Sequence, residues 1–301
     1  MRHAAVVLSL AVLVWPAAAN GSAHKLHGNN FFANCRFSHT NHDDPIVFPG
    51  HPRFSHDHTF FGNASTNASS TLTSLRLATT TCKPKADKAA YWIPTLYRDG
   101  REIRPAKAQF YYNLRGYDRM HAFPYGLKVV AGDARARRAQ STKVVYWDCV
   151  GSMTERSAPV ARPPETCADV RLSAPKGFFR RCATCKLQPL PPSAQRAKRF
   201  LELHVDFPDC WDGKHLDSPD HRGHMAYSTN YVCPASHPVK VPLIRLTVRY
   251  PIGGGRGVYL SSGGVLTGHA DFLNAWDERF LTKLVAACFA DRPCNPETMR
   301  P

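Results

Sequence analysis

The chain has 301 residues, and 43% of them are hydrophobic, which is enough apolar material for a sizeable core. The formal net charge of +16 favours acidic partners, but the basic residues are scattered and no nucleic-acid-binding motif accompanies them, so we expect no nucleic-acid partner. After the N-terminal segment, no stretch is apolar enough to span a bilayer.

The N-terminus has the three parts of a secretory signal peptide. A basic start precedes an apolar run of roughly 12 residues, too short to span a bilayer, and Ala17-x-Ala19 supplies the small residues of a cleavage site. We predict that residues 1–19 are the signal peptide and that residues 20–301 form a single secreted domain. A cut four residues later would instead leave His24 at the N-terminus, where its amine and its ring could hold copper.

All ten cysteines lie beyond the signal peptide, and an even count in an exported chain predicts a disulfide framework. Short spacing suggests the pairs Cys210–Cys233 and Cys288–Cys294, although spacing does not determine connectivity. Cys182-x-x-Cys185 has no second Cys-x-x-Cys to complete a zinc site, so we predict a structural role for it. The cysteines are Cys35, Cys82, Cys149, Cys167, Cys182, Cys185, Cys210, Cys233, Cys288 and Cys294.

Two histidines, His56 and His58, alternate in a polar segment that follows Asp44. In an extended backbone, alternate side chains point to the same face, so both rings could reach one ion or one substrate group. A metal usually takes three or four protein ligands, so the pair is only half a site. Alternatively, both rings are hydrogen-bonded to the backbone or to carboxylates.

The central part of the chain predicts short strands, because segments rich in β-branched and aromatic residues are separated by Gly, Pro or Asp. Asp99-Gly100 is the strongest hairpin signal. Polar, low-complexity residues 63–74 predict a mobile surface loop with glycosylation sequons at Asn63 and Asn67, and residues 152–197 predict a long irregular insertion held by disulfides. The predicted strands are residues 91–97, 108–114, 127–131, 143–150, 199–207, 241–251 and 258–261.

The densest polar segment is residues 209–224, which follow a predicted strand and carry four aspartates, three histidines, Trp211 and a cysteine. A buried strand could not hold so many ionisable groups without a large desolvation cost. The composition predicts a site that binds a metal or a sugar, or that transfers protons. Alternatively, it is a cross-linked surface loop whose polar groups cap one another.

The one predicted helix covers residues 271–289, where apolar residues recur every four positions and form a single stripe. Asp271 stands at its predicted start, where a carboxylate would cap free N–H groups, and His269 is an adjacent polar side chain. The stripe consists of Phe272, Trp276, Phe280, Leu284 and Cys288.

Together these elements predict a mainly β fold: a sandwich or jelly-roll-like single domain with long irregular disulfide-linked loops and one C-terminal helix. We expect the 209–224 segment to form one wall of a composite site. Its other walls would be Asp44 with His56 and His58, and the His269/Asp271 pair.

Three motifs of the chain occur together in one known family. They are Asp44-Pro-Ile-Val-Phe-Pro-Gly50 with Ser55-His-Asp-His58, residues 207–224 followed by Cys233-Pro, and Thr267-Gly-His-Ala-Asp-Phe272 with Trp276. In these the chain resembles secreted fungal and actinobacterial proteins grouped as domain of unknown function 1996. The resemblance implies a single secreted domain and brings no assigned activity. Asp57 stands where an apolar residue is usual in that family, which makes it a weak catalytic candidate. The residues that match motif positions are Asp44, His56, His58, Asp212, Asp217, Asp220, His221, His224, His269 and Asp271.

The first functional hypothesis is a secreted polysaccharide-acting hydrolase, specifically a glycoside hydrolase. Glycosidic cleavage needs a carboxylic acid with a raised pKa and a second carboxylate as base or nucleophile. Asp212 and Asp217 are the predicted catalytic pair. Trp211 and Trp276 would stack on sugar rings. The other catalytic candidates are Asp44, His56, His58 and His224. The predicted substrate-binding residues are Trp211, Asp220, His221, His269, Asp271 and Trp276.

The second hypothesis is a metal enzyme that uses zinc for hydrolysis or copper for redox chemistry. Its ligands would be an aspartate with imidazoles drawn from His56, His58, His221 and His224. The third is a non-catalytic module that binds cell-wall glycan. Only the second needs a cofactor, and in every case we expect a monomer whose partner is a polysaccharide or cell-wall glycan, including anionic ones.

Overall fold

Two antiparallel sheets face each other in the structure, a computed structural model that describes residues 26–151, 155–173 and 198–299. The larger sheet consists of β1 (Asn30–Cys35), β4 (Cys82–Lys83), β8 (Lys107–Asn113), β10 (Val145–Val150), β11 (Phe200–Asp206) and β15 (Leu243–Tyr250). Their spatial order is β10-β11-β15-β8-β1-β4.

The smaller sheet positions the candidate site. It consists of β2 (Phe37–Asn41), β3 (His58–Gly62), β5 (Ala90–Pro94), β9 (Lys128–Gly132) and β17 (His269–Leu273). Their spatial order is β2-β3-β5-β17-β9, so β3 and β17 lie on either side of β5 and both run antiparallel to it.

Two three-stranded sheets and two helices complete the described structure. One small sheet has the order β16-β6-β7 and the other β13-β12-β14. The first sheet is formed by β6 (Leu96–Arg98), β7 (Arg101–Glu102) and β16 (Val258–Leu260). The second is formed by β12 (Cys210–Trp211), β13 (Met225–Ala226) and β14 (Val239–Lys240). The two helices are α1 (Leu72–Leu77) and α2 (Glu278–Phe289).

The main hydrophobic core lies between the two large sheets. Because side chains alternate along a strand, β8 turns Ala108, Phe110 and Tyr112 inwards while the residues between them face out. The Phe110 ring lies 3.8 Å from the ring of Tyr91 on β5, measured between centroids, so the sheets are in direct contact. The predicted sandwich is therefore confirmed.

A second apolar cluster covers the outer face of the smaller sheet. Phe60 and Trp92 on the strands contribute to it, as do Ile46 from the segment before β3 and Leu75 from α1. Both faces of the sheet are thus covered, and every residue of β3, β5 and β17 is buried. This double burial explains why these strands do not alternate in hydrophobicity.

Most sequence-based element predictions are confirmed. Each predicted strand overlaps an observed one, and Asp99-Gly100 forms the turn between β6 and β7. Both suggested disulfides are present, and two further bonds join Cys35 to Cys82 and Cys149 to Cys167.

The predicted helix start at Asp271 is wrong. Asp271 lies in β17, and the helix begins at Glu278 with Asp277 as its N-cap, whose Oδ1 accepts a hydrogen bond of 2.8 Å from the Phe280 N–H. Phe272 and Trp276 continue the four-residue spacing of the helix although they precede it. They are apolar because Phe272 lies in a buried strand and Trp276 in the buried connection that follows.

The predicted surface loop at residues 63–74 is confirmed only in part, because residues 63–71 are irregular and partly exposed but a helix begins at Leu72. The side-chain amide of Asn63 is buried and donates to the carbonyl oxygens of Leu75 and Lys88 at 2.8 and 2.9 Å. The segment leads into α1, so the described part of the chain has two helices and not one.

Several predictions lie outside the described residues: the signal peptide (1–19), Cys182 and Cys185, and most of the 152–197 insertion. The described part of that insertion has no regular strand or helix and is held to β10 by the Cys149–Cys167 disulfide. Among the described residues, neither helix has the length and apolar character that a bilayer crossing requires.

A candidate metal centre in a surface cleft

Three site residues share one corner of the smaller sheet's outer face. His58 is the first residue of β3 and pairs with Pro94, while Asp271 on β17 pairs with Trp92, two residues earlier on β5. The antiparallel register therefore sets His269 opposite Pro94, in the same row as His58. Since side chains alternate, His269 and Asp271 point to the same face.

Asp44 and His56 come from the segment that covers this face. The Asp44 Oδ1 accepts backbone N–H bonds of 2.9 Å from both Ile46 and Val47, which fixes the carboxylate in a tight turn. Ile46 is fully buried in the outer apolar cluster and anchors that turn. His56 lies two residues before β3, beside His58.

The five side chains form one cluster, in which His56 is half-buried and the other four are buried. The Nε2 atoms of His56 and His269 are 3.1 Å apart, and the ring centroids of His56 and His58 are 4.2 Å apart. His56, His58 and His269 each offer a ring nitrogen within 4.8 Å of the other two. Asp44, His58 and Asp271 likewise each offer one atom within 4.8 Å of the others. Such spacing allows several of these atoms to bind the same ion.

Backbone carbonyls fix two of the imidazoles. The Nδ1 of His58 lies 3.0 Å from the Asp43 carbonyl oxygen, and the Nδ1 of His269 lies 2.8 Å from that of Thr267. A carbonyl oxygen can only accept, so each Nδ1 carries the proton and each neutral ring keeps a lone pair on Nε2. This is the usual outer support of metal-binding histidines.

Buried polar atoms without hydrogen-bond partners concentrate here. Among the described residues they include the Nε2 of His58, both carboxylate oxygens of Asp271 and the Oγ of Ser55. Buried polar groups in native proteins are nearly always paired, because an unpaired group costs roughly 1–3 kcal/mol. Four such atoms around one cluster therefore indicate a site built for a ligand.

Electrostatics favour a cation at the same place. Burial lowers the pKa of His56 to about 4 and that of His269 to about 3, and it lowers the pKa of His58 well below its usual value. Burial also raises the pKa of Asp44, and burial together with the Asp44 charge raises that of Asp271 well above its usual range. The imidazoles are thus neutral, the form that binds metals, and a cation would relieve the repulsion between the carboxylates.

The cluster opens into a cleft of about 510 Å³, within the usual size range of ligand sites. Asp44, His56, His269 and Asp271 line it, while His58 is fully buried and is not among the lining residues. Residues 220–222 of the dense polar segment also line it. The expected convergence of the three sequence segments is therefore observed.

Asp212 and Asp217 occupy different positions from Asp44 and Asp271. Asp212 accepts backbone N–H bonds from Lys214 and His215 and pairs with the His215 ring at 2.6 Å, so it caps its own turn away from the cleft lining. Burial raises the pKa of Asp212, but these bonds lower it further, to about 2. Asp212 is therefore fully ionised at neutral pH.

Asp217 and His224 support the wall of the cleft. Asp217 pairs with Lys128 at 3.0 Å and with the ring of His221, which lines the cleft, at 2.8 Å. His224 is buried, and its ring nitrogens lie 2.9 Å from the Ser218 Oγ and 2.7 Å from the Lys128 carbonyl oxygen. Because both of its nitrogens are engaged, His224 has no free lone pair for a metal. Asp220 lines the cleft, where its Oδ1 accepts from the Ser218 Oγ at 2.7 Å.

Neither predicted sugar-stacking tryptophan lies on the cleft. Trp276 is fully buried in the main core and donates from Nε1 to the Tyr112 hydroxyl at 2.9 Å, so it has no face for a sugar and that prediction is wrong. Trp211 lies in β12 and donates from Nε1 to the His215 carbonyl at 2.7 Å. The aromatic side chains beside the cleft are instead Phe48 and Phe54.

Sequence reasoning missed His269 as a candidate metal ligand. It lies 213 residues from His56, the ring that it contacts. The signal was present: His269-x-Asp271 repeats the alternation of His56-x-His58, as expected for a strand. Assigning the segment to a helix concealed it.

The comparisons with known proteins bear on family and not on activity. No curated protein and no solved structure matches the chain. The family profile described as "Domain of unknown function (DUF1996)" matches residues 44–276, a span that runs from the first carboxylate of the cluster past its last. The chain therefore belongs to the DUF1996 family.

Proposed function

We propose that this protein is a secreted, polysaccharide-acting hydrolase that works through a zinc ion held by His56, His58 and His269. The observation that carries the proposal is the 3.1 Å distance between the Nε2 atoms of His56 and His269. Two nitrogens bound to one tetrahedral zinc at about 2.0–2.1 Å lie about 3.3–3.4 Å apart, close to the observed distance. Three imidazoles with an open fourth position are typical of catalytic zinc sites.

The two carboxylates have separate roles in this proposal. Asp271 is the carboxylate nearest the imidazoles, with its Oδ2 3.9 Å from the His269 Nε2, and it balances the charge of the ion or binds it. Asp44 holds only its Oδ1 in the turn, so its Oδ2 is placed to take a proton from the attacking water. Zinc supplies a Lewis acid that polarises a substrate oxygen and acidifies water. Hydrolysis adds water across the scissile bond, the oxygen going to the anomeric carbon and a proton to the departing sugar hydroxyl.

The cell location and the substrate class are parts of the same proposal. Four disulfides among the described residues are typical of oxidising compartments, which supports secretion. The net charge of +16 and the polar cleft support a glycan from a cell wall or matrix.

The test is hydrolysis with and without metal. Protein purified without a His tag is assayed for released reducing sugar on a panel of wall and matrix polysaccharides, then after metal removal with EDTA, and again after zinc is restored. We expect activity to fall at least 100-fold on removal and to return with zinc. Full activity in protein shown to be free of metal would refute the proposal.

The closeness of Asp44 and Asp271 favours a second candidate, a glycoside hydrolase without metal. One oxygen of each lies within 4.8 Å of the other, near the roughly 5 Å that separates the carboxyl groups of retaining enzymes. The same assay distinguishes the candidates, because this one predicts activity that survives EDTA and is lost in Asp271→Asn.

A further inference from the structure

The cleft has an exposed aromatic wall. Phe48 lines it, and the Phe54 ring packs against Phe48 with centroids 5.2 Å apart and planes at 70°. Phe54 is 69% exposed, which is unfavourable for a large apolar side chain beside a functional cleft unless something covers it. The backbone beneath is fixed, since the Arg53 N–H donates to the Asp43 Oδ1 at 2.8 Å. The half-buried Phe48 ring supports Phe54 from the side, and the exposed Phe54 ring matches the apolar face of a sugar ring.

Two arginines from other segments also line the cleft. Arg135 and Arg222 are exposed, and within the described residues neither guanidinium group has a hydrogen bond or an ion pair. By contrast, the guanidinium groups of Arg156, Arg245 and Arg249 are paired with buried carboxylates. Arg135 also begins the densest basic run of the chain, residues 135–138.

Four aspartates line the cleft, and the two that neighbour the arginines in sequence, Asp133 and Asp220, do not contact the arginine side chains directly. The Asp133 Oδ1 accepts from the Arg135 backbone N–H at 2.8 Å, and the Asp220 Oδ1 accepts from the Arg222 backbone N–H at 3.1 Å. These bonds fix the two backbones and leave both guanidinium forks free. A free guanidinium fork on a fixed backbone suits a carboxylate or a sulfate, which it can bind through two parallel bonds.

We infer that the cleft binds an anionic polysaccharide, with a sugar ring stacked on Phe54 and the acidic substituents of the chain on Arg135 and Arg222. The inference rests on the proposed function only for its location at the same cleft, since binding needs no hydrolysis. The shared ligand chemistry is an acidic group on a sugar, either a uronate carboxylate or a sulfate ester.

The experiment measures binding by metal-free protein, so that a failure of the zinc hypothesis does not affect it. The probes are polygalacturonate, its fully methyl-esterified form and dextran sulfate, which carries sulfate and no carboxylate. Their binding is compared by affinity electrophoresis at several salt concentrations. We expect at least one acidic polymer to bind 10-fold or more tightly than the neutral ester, with affinity falling as salt rises. The two acidic polymers distinguish carboxylate from sulfate recognition.

Variants locate the binding. Arg222→Gln, Arg135→Gln and Phe54→Ala should each weaken binding about 10-fold, the loss expected for one charged or stacking contact. The matched controls are Arg101→Gln, at the β6–β7 turn, and Phe32→Ala, which is 44% exposed on the larger sheet. Equal binding of acidic and neutral polymers, or equal losses in the controls and the cleft variants, would overturn the inference. Selective binding without any hydrolysis would support it while the proposed function fails.

Discussion

Two backbone carbonyls determine which ring nitrogen of His58 and of His269 carries the proton. By accepting from Nδ1, the carbonyls of Asp43 and Thr267 leave the Nε2 lone pair of each ring facing the cluster. His224, by contrast, has both nitrogens engaged in hydrogen bonds. Histidines within the same motifs therefore differ in chemistry because of the local backbone.

The cluster residues and the convergence of their segments on one cleft could be predicted from sequence, but which carboxylates meet beside the imidazoles could not. Asp44, His56 and His58 stood out by composition and alternation, and Asp271 by its motif. Asp212 and Asp217 were the preferred pair because they lie in the densest polar segment. A high density of polar residues in one segment does not show which carboxylates lie close together in the fold. This cluster is formed by residues far apart in sequence.

Substitutions at Asp271 and at Asp212 test which of the two carboxylates is needed for hydrolysis. Asp271→Asn removes a buried carboxylate beside the imidazoles, so we expect hydrolysis to fall at least 100-fold. Asp212→Asn alters a turn outside the cleft lining, so we expect less than a 5-fold change. Rates on the same polysaccharide, together with thermal unfolding of both variants, provide the measurement. The reverse order of effects would restore Asp212 as the catalytic residue.

At the scale of elements, every predicted strand overlaps an observed one, but β1, β2, β3 and β17 were not predicted as strands and the helix start was wrong. Gly, Pro and Asp punctuate the strands, and β8 and β15 alternate clearly. β17 is buried on both faces, so it carries no alternation, and its apolar residues continue the four-residue spacing of α2. Periodicity alone cannot separate a short buried strand from the first turn of a helix.

The helix boundary makes a prediction about capping. Asp277→Ala removes the side chain that accepts the Phe280 N–H, so we expect the free energy of unfolding to fall by about 1 kcal/mol with metal binding unchanged. Chemical denaturation and metal titration of the same variant measure both quantities. A helix that began at Asp271 would show no loss for Asp277→Ala.

At the scale of the whole molecule, the larger sheet carries a buried ionic network on its outer face. Asp148, Glu202 and His204 come as close together as the cleft cluster does, but Arg156 and Arg249 pair with the acids. Among the described residues, no fully buried side-chain atom of this network is without a hydrogen-bond partner, so we assign it to stability and not to metal binding.

This network predicts a pH dependence of stability. Burial raises the pKa of Glu202, but the hydrogen bond from His204 and the charge of Arg156 lower it further, to about 2. Because the folded pKa lies below the unfolded value, the contribution is complete above about pH 4.5 and is lost as the pH falls towards 2. We expect Glu202→Gln to cost on the order of 2–3 kcal/mol at pH 7 and to flatten the pH profile below pH 4.5.

Urea unfolding at pH 7, 4.5 and 3 measures this dependence. The matched control is Glu297→Gln, an exposed glutamate near the C-terminus, which should leave both the stability and its pH profile unchanged. Parallel profiles for the wild type and Glu202→Gln would remove Glu202 as the origin of the effect.

Metal content decides whether the cleft cluster is a metal centre. Protein purified without a His tag, incubated with zinc and dialysed, should retain about one ion per chain by elemental analysis. His58→Asn should retain less than a tenth of that amount, while His215→Asn, at an exposed turn outside the cleft lining, should match the wild type. If the protein retained copper in place of zinc, the metal site would stand and its chemistry would be redox and not hydrolytic. Wild-type protein that retains no metal, or His58→Asn that retains as much as the wild type, would contradict a metal centre formed by His56, His58 and His269.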